Sequence, residues 1–325
     1  MSARVVVVTG ASAGIGRATV RAFARKGWDI ALLARGVDRL EAARHEIEAF
    51  GRRALIVPLD VADADQVQAA AERIERELGP IDAWVNNAMA TIFSPFMDIS
   101  PEEYRRVTEV TYLGTVHGTL AALKHMKPRN RGTIVQVGSA LAYRAIPLQS
   151  AYCGAKFAVR GFTDALRSEL LHDRSRVRLT MVQLCAFNTP QFDWARSHLP
   201  NRAQPVPPIY QPEIAADAIV WAAEHPRREM WVGFPTVQTI LAQLVAPGLL
   251  DRLAARKGYS GQLTREPLPR DYRDNLYAPA PGDYGSHGRF DATARARNTQ
   301  LWFSRHRRAV AIVTVVTVAL LLTLL

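Results

Sequence analysis

Tyr152 and Lys156 stand four residues apart in Tyr152-Cys153-Gly154-Ala155-Lys156, a spacing that places both side chains on one face of a helix. A free phenol titrates near pH ~10 and exchanges protons poorly at neutral pH. A neighbouring ammonium stabilises the phenolate and lowers that value. The pair is therefore suited to giving a proton to, or taking one from, a carbonyl or alcohol oxygen. Tyr152 is the one tyrosine of nine with Lys at this distance. Taken alone, the pair is also an ordinary feature of amphipathic helices. Ser139 follows Gly138 and can donate to the same oxygen, or serve as a turn serine.

A second group of residues suits a phosphorylated nucleotide. Thr9-Gly10-Ala11-Ser12-Ala13-Gly14-Ile15-Gly16 joins an apolar β-branched stretch to an amphipathic one. Glycines there let the backbone turn tightly and approach a pyrophosphate, which the helix N-terminus then faces with free N–H groups. The same residues also fit a plain strand–helix loop, but their place after the first strand favours the nucleotide. The next strand ends Leu33-Ala34-Arg35, with no acid for adenosine ribose hydroxyls. Arg35 can instead pair with a 2′-phosphate and Ser12 can add a hydroxyl donor, the alternative being a surface arginine. The expected cofactor is thus NADP(H). Asp60 ends the third strand, where it can accept from the adenine amino group or cap the helix that follows.

Alternating strands and helices must position these groups. Strands are expected at Arg4–Thr9, Asp29–Ala34, Ala54–Leu59, Ala83–Asn86, Thr133–Val137, Arg178–Leu184 and Met230–Gly233. Helices are expected at Ile15–Lys26, Val37–Phe50, Pro101–Met126, Ala151–Leu171 and Pro212–Ala223, and Val67, Ala71, Ile74 and Leu78 form a further helical stripe. The pattern predicts an α/β fold: a Rossmann-like, doubly wound parallel sheet forming a single catalytic domain, with a C-terminal extension and a membrane helix. Ligands in such folds bind at the carboxyl ends of the strands, where the candidate residues fall. Gln191–Gln211 reads as a loop over the site, and Val237–Leu250 is apolar and ambiguous. The expected organisation is a catalytic domain over residues 1–250, a Pro/Gly/Arg-rich, partly disordered linker over 251–304 and an anchor over 305–325.

Composition removes several function classes. Two cysteines, Cys153 and Cys185, exclude a disulfide scaffold and fit a reducing compartment. Neither they nor the eight histidines have metal-ligand spacing, so no metal is expected. Lys and Arg exceed Asp and Glu by 41 to 30, but no nucleic-acid recognition motif accompanies the charge. The N-terminus runs straight into a strand, so no signal peptide is expected. Ala309–Leu325 carries no charge and follows Arg305-His306-Arg307-Arg308. As a helix it rises about 26 Å, near the lower limit for a bilayer core of roughly 30 Å. Trp302 and Phe303 suit the interface, and the arginines place the catalytic domain on the cytoplasmic side of a single-pass anchor.

The Gly pattern Thr9–Gly16, Asn86-Asn87-Ala88, Ser139 and Tyr152/Lys156 together resemble the short-chain dehydrogenase/reductase family over roughly residues 4–235. The resemblance implies hydride exchange with a nicotinamide. It implies Tyr152 as acid/base, Lys156 lowering its pKa and holding the nicotinamide ribose, Ser139 orienting the reacting oxygen, and Asn87 and Ala88 near the cofactor. Three positions depart from the family pattern: Met89 in place of a glycine, Thr111 in place of the relay asparagine three residues before Gly114, and Leu184-Cys185-Ala186 in place of a Pro-Gly turn. Thr189 remains placed to contact the nicotinamide amide. Phe93, Phe96, Met97, Phe187, Phe192 and Trp194 are expected to rim the pocket and to favour an apolar substrate. A homo-oligomer fits the family's habit. The competing reading is a regulatory protein that keeps the nucleotide site with little turnover.

Overall fold

The computed structural model describes residues 3–307. Seven parallel strands form one sheet: β1 Val5–Thr9, β2 Asp29–Ala34, β3 Ala54–Pro58, β4 Ile81–Asn86, β5 Thr133–Val137, β6 Arg178–Leu184 and β7 Glu229–Val232. Their order is β7-β6-β5-β4-β1-β2-β3. The chain starts in the middle, winds outward to β3, then returns to β4 and winds the other way. The switch lies between β1 and β4, which pair directly. Both faces of β1 are covered. Val6 and Val8 pack with Phe23 and Ile219, and Val5 and Val7 with Ile74 and Ala122. A strand buried on both sides has no polar face to show, which explains the unbroken valine run.

Helices α1 Gly14–Arg25, α2 Val37–Glu48 and α3 Ala64–Glu77 follow the first three strands. The stretch expected as one helix over 101–126 is instead α4 Pro101–Thr108, a π-helical turn at Glu109–Leu113, and α5 Gly114–Met126. Ser100 and Glu103 form a capping box at its start. The wider turn carries Thr111 against the loop after β4, and a π-bulge inside a helix is a common device for placing a side chain. Helix α6, Ser150–His172, carries the Tyr/Lys pair, and α7, Pro212–Glu224, packs on α1.

The extension departs from a linker. The ambiguous apolar stretch is α8 Phe234–Val245, and α9 Pro247–Lys257 follows, so the expected boundary at 250/251 falls inside a helix. Leu263–Pro267 pairs with Asn201–Ala203, and α10 Thr299–Arg305 packs on β7, with Leu301 buried. Between them Leu276, Ala280 and Ser286 are buried although their segment has no regular structure. Its Pro and Gly content suppresses helix and strand without preventing the chain from lying against the domain. The expected membrane helix, Ala309–Leu325, lies outside the described residues. Among the described residues no helix is long and apolar enough to cross a membrane.

Candidate active site

The strand ends meet the Gly-rich turn at the switch point. Gly10 and Gly14 adopt φ of 65° and 56°, which L-residues avoid. A Cβ on Gly16 would sit 2.0 Å from the Gly10 carbonyl oxygen, so only glycine lets α1 pass this close to β1. Asn87 pins the neighbouring strand end: its Nδ2 donates to the Thr9 carbonyl at 3.0 Å, and the Asn87 and Ala88 amides donate to Thr9 Oγ1 at 2.9 and 3.0 Å. Helix α1 begins without a side-chain cap and has no acid in its first turn. Its Gly14 amide donates to the Gly285 carbonyl at 3.0 Å, and the positive end of the helix favours an anion at the remaining first-turn amides.

A cleft of about 180 Å³ runs from this turn to the end of β2 and is lined by Ser12, Ile15, Arg35, Asp60, Ala88 and Thr189 among others. Arg39, in the first turn of α2, also lines it, and Arg106 pairs with Asp60 beside it. Burial holds the Arg35 guanidinium below its ordinary value, with Asp60 pulling the other way and Arg106 and Arg39 adding to the depression. Arg35 and Arg106 thus share Asp60, which Arg106 already occupies, while Arg39 faces Asp283 and Asp38. That surplus of positive charge, with the glycine cradle and the uncapped start of α1, fits a phosphorylated dinucleotide. Sequence reasoning found Arg35 and missed Arg39, which the β2–α2 turn brings to the same cleft. Asp60 departs from a free adenine acceptor, because its carboxylate is shared between Arg106 and the Ala62 amide. The helix cap falls to Asp63, which accepts from the Asp65 and Gln66 amides.

A second cavity of about 600 Å³ adjoins the first across Ile15, Asn87, Met89 and Thr189, and contains Ser139, Tyr152 and Lys156. Lys156 is almost fully buried and donates from Nζ to the Val137 carbonyl at 2.7 Å. Burial pushes its pKa down to about 8. Its Nζ lies 5.7 Å from the Tyr152 ring centroid. Burial raises the Tyr152 pKa, and the facing Ser139 hydroxyl opposes this only in part. Burial outweighs every opposing contribution at the phenol. The ammonium is turned to a backbone carbonyl, and Tyr152 is a protonated donor at neutral pH. Ser139 Oγ accepts from the Leu141 amide at 3.1 Å, which fixes its orientation.

Thr111 is fully buried and both donates to the Ala90 carbonyl, at 2.9 Å, and accepts from the Ala90 amide, at 3.0 Å. Its hydroxyl holds the loop after β4 and is not directed at the proton-transfer groups. Cys185 lines the large cavity, but burial pushes its thiol up to about 12, so it is no nucleophile at neutral pH.

The expected aromatic rim is only partly present. Phe187 and Phe192 line the large cavity, and Trp194 lines the cleft instead. Phe93 is buried behind Phe192, while Phe96 and Met97 face solvent and line neither. The missing wall comes from the extension: Pro235 and Thr239 of α8, Leu250, Leu253 and Ala254 of α9. No short-range pattern announces that contribution, because these residues lie about a hundred positions after Tyr152.

The family model for short chain dehydrogenases matches residues 4–199. The chain belongs to the short-chain dehydrogenase/reductase family. It is an oxidoreductase of that family, consistent with NAD(P)-dependent carbonyl/alcohol reduction. It is 36% identical over 271 residues to the uncharacterized oxidoreductase YxnA of Bacillus subtilis (strain 168), covering 82% of this chain and 76% of that one. Among the solved structures it resembles are the following two. One is an alcohol dehydrogenase from the archaeon Thermococcus sibiricus complexed with 5-hydroxy-NADP, with a TM-score of 0.61 and 29% identity. The other is L-sorbose reductase from Gluconobacter frateurii complexed with NADPH and L-sorbose, with a TM-score of 0.63 and 25% identity. Each match covers 71% of this chain and 95% of the other.

Proposed function

We propose that this chain is an NADP(H)-dependent oxidoreductase that interconverts a carbonyl and an alcohol on an apolar substrate drawn from a membrane. The observation that carries the reading is the meeting of two unlike cavities. An arginine-rich cleft at the Gly turn opens into a large, mostly apolar chamber whose reacting groups are Ser139, Tyr152 and Lys156. A nicotinamide dinucleotide bound in the cleft supplies or takes the hydride. Tyr152, protonated at neutral pH, donates its proton to the carbonyl oxygen in the reductive direction and recovers it from the alcohol in the other. Ser139 holds that oxygen. Lys156 supplies positive charge beside the phenol as it develops negative charge. Arg35 and Arg39 favour the cofactor with a 2′-phosphate.

The membrane half of the reading rests on the extension. Helices α8 and α9 wall the chamber on one side and on the other present Leu241, Leu244, Val245 and Leu249 to solvent, with Leu244 and Val245 72% and 85% exposed. Arg252, Arg256 and Lys257 follow on α9, and Trp302 and Phe303 are exposed just before the Arg-rich, apolar C-terminal run. An apolar patch edged with basic residues suits an anionic lipid surface. The catalytic domain then lies on the cytoplasmic face of a single-pass C-terminal anchor. The test is to assay the full chain in lipid vesicles with NADPH and a panel of lipophilic ketones, and to fractionate expressing cells. The protein should stay in the membrane pellet through a carbonate wash and reduce lipophilic ketones in preference to sugars. Release by salt alone contradicts a spanning anchor, and a preference for polar ketones contradicts the substrate class.

A regulatory nucleotide-binding protein is the second reading, favoured by the commitment of Thr111 to Ala90 where a relay group is expected. Tight NADPH binding with no turnover on any ketone in the panel would select it.

A further inference from the structure

The segment Asn275–Ser286 lies outside the span matched by the family model and crosses the cofactor cleft as a strap. It is tied down on both sides. Before it, the Tyr272 hydroxyl donates to the Ala195 carbonyl at 2.6 Å and Asp274 pairs with Arg196 at 2.9 Å. After it, the Phe290 amide donates to Asn188 Oδ1 at 3.0 Å, and His287 bridges Glu213 and Asp291. Between these ties the strap meets the groups that face the cleft. Its carbonyls at Asn275 and Leu276 accept from the two Nη atoms of Arg35, at 2.5 and 3.2 Å. The Ala280 carbonyl accepts from Arg39 at 2.6 Å, and the Gly285 carbonyl accepts from the Gly14 amide at 3.0 Å. Tyr284 stacks edge-on against Trp194 at 4.6 Å, with the Arg39 guanidinium 5.0 Å from the Trp194 ring.

We infer that this strap is a gate over the cofactor. Closed, it holds Arg35 and Arg39 in one orientation from behind while leaving each guanidinium further N–H groups for a phosphate. A dinucleotide long enough to reach from Arg35 to Tyr152 enters and leaves only when the strap lifts. The strap has no helix or strand of its own. Over the cleft it is held by individual hydrogen bonds from Arg35, Arg39, Arg106, Arg21 and the Gly14 amide, by an Arg17–Asp283 contact at 3.5 Å and by one aromatic pair, with no continuous backbone ladder. The inference rests on the dinucleotide site proposed above.

The structure offers a lock. A Cβ built on Gly36, in the turn between β2 and α2, lies 3.5 Å from Pro279 Cβ on the strap and meets nothing closer than 3.4 Å. That separation lies at the short end of the disulfide range. The Gly36→Cys/Pro279→Cys double variant is loaded with NADPH, oxidised, and passed through gel filtration. The expected result is that NADPH stays trapped, that the oxidised empty variant takes none up, and that reduction restores both steps. Unchanged uptake and release after oxidation overturns the gate. Tyr284→Ala in the full chain gives an independent reading free of engineered cysteines. Losing the Trp194 stack should raise the association and dissociation rates of NADPH together, up to about ten-fold, and leave Kd little changed. A rise in the dissociation rate alone makes the strap a binding contact and overturns the gate. Failure of the unmodified chain to bind NADPH at all instead removes the dinucleotide site itself.

Discussion

The cofactor cleft and the substrate chamber are built by different rules. The cleft comes from four consecutive strand ends, and its parts are fixed by backbone constraints: glycines where a Cβ would collide, and Asn87 tied to Thr9 and Gly10. Its chemistry is charge. The chamber takes its reacting groups from β5 and α6, but one of its walls comes from α8 and α9 in the extension, and its chemistry is apolar volume. A phosphate-binding turn tolerates few sequences, whereas many apolar residues can line a chamber. The first half is therefore bound to a recognisable pattern, and the second is free to vary with the substrate.

If the two halves are separable in this way, substitutions should sort into those that stop chemistry, those that change cofactor choice and those that change substrate affinity. The largest effect is expected from Tyr152→Phe, which removes only a hydroxyl. Turnover should fall by about 10²–10⁴-fold or more while NADPH affinity, measured by titration, is nearly intact. A parallel loss of NADPH binding would join the two halves into one site. Arg35→Ala should come next. Losing a charge-assisted contact to a 2′-phosphate is worth on the order of 1.5–3 kcal/mol, so NADPH binding should weaken by roughly ten-fold or more with NADH binding unchanged. Arg39→Ala should act in the same direction, and equal effects on both cofactors would mean the arginines only hold the strap.

The pH profile sharpens the comparison within the chamber. Tyr152 stays protonated well past neutrality because burial raises its pKa, so it does not limit reduction from the alkaline side. Lys156 does, because burial brings it down to about 8. Reductive turnover should hold up to that pH and fall above it as the ammonium loses its proton. Lys156→Arg, which keeps the charge, should move the falling limb upward in whatever activity remains. A limb that stays in place assigns it to another group. The smallest effect is expected from Leu253→Ala on the chamber wall. Losing part of an apolar contact of about 1–3 kcal/mol should raise KM for a lipophilic ketone several-fold to some tens of fold and leave NADPH affinity untouched.

The same contrast decides what was legible in the sequence. The sheet, the Gly turn, Arg35, Ser139 and the Tyr152/Lys156 pair follow local periodicity or spacing, and each lies at the strand end or helix face its pattern indicated. The break at Glu109–Leu113 did not show, because a π-turn inserts one residue per turn without a proline or a run of glycines. The extension was read as linker because its Pro, Gly and charged residues lack a period. What orders Asn275–Ser286 is long-range: arginine side chains from the β2–α2 turn and from α2 that reach its carbonyls. The direction of the Lys156 ammonium was equally hidden. Spacing placed it on the Tyr152 face of α6, but the Val137 carbonyl that receives it belongs to another strand.

The central claim is that a hydride passes between a dinucleotide in the arginine-rich cleft and a carbonyl held by Ser139 and Tyr152 in the apolar chamber. Its most direct test is a single turnover with NADPH deuterated at the transferring position of the nicotinamide and a lipophilic ketone that the full chain accepts. The account predicts an alcohol with deuterium at the carbinol carbon, on one face, from the unmodified chain, and none from Tyr152→Phe carrying the same bound NADPH. Bound deuterated NADPH that never delivers its label to any ketone, or equal labelling by both proteins, would contradict it.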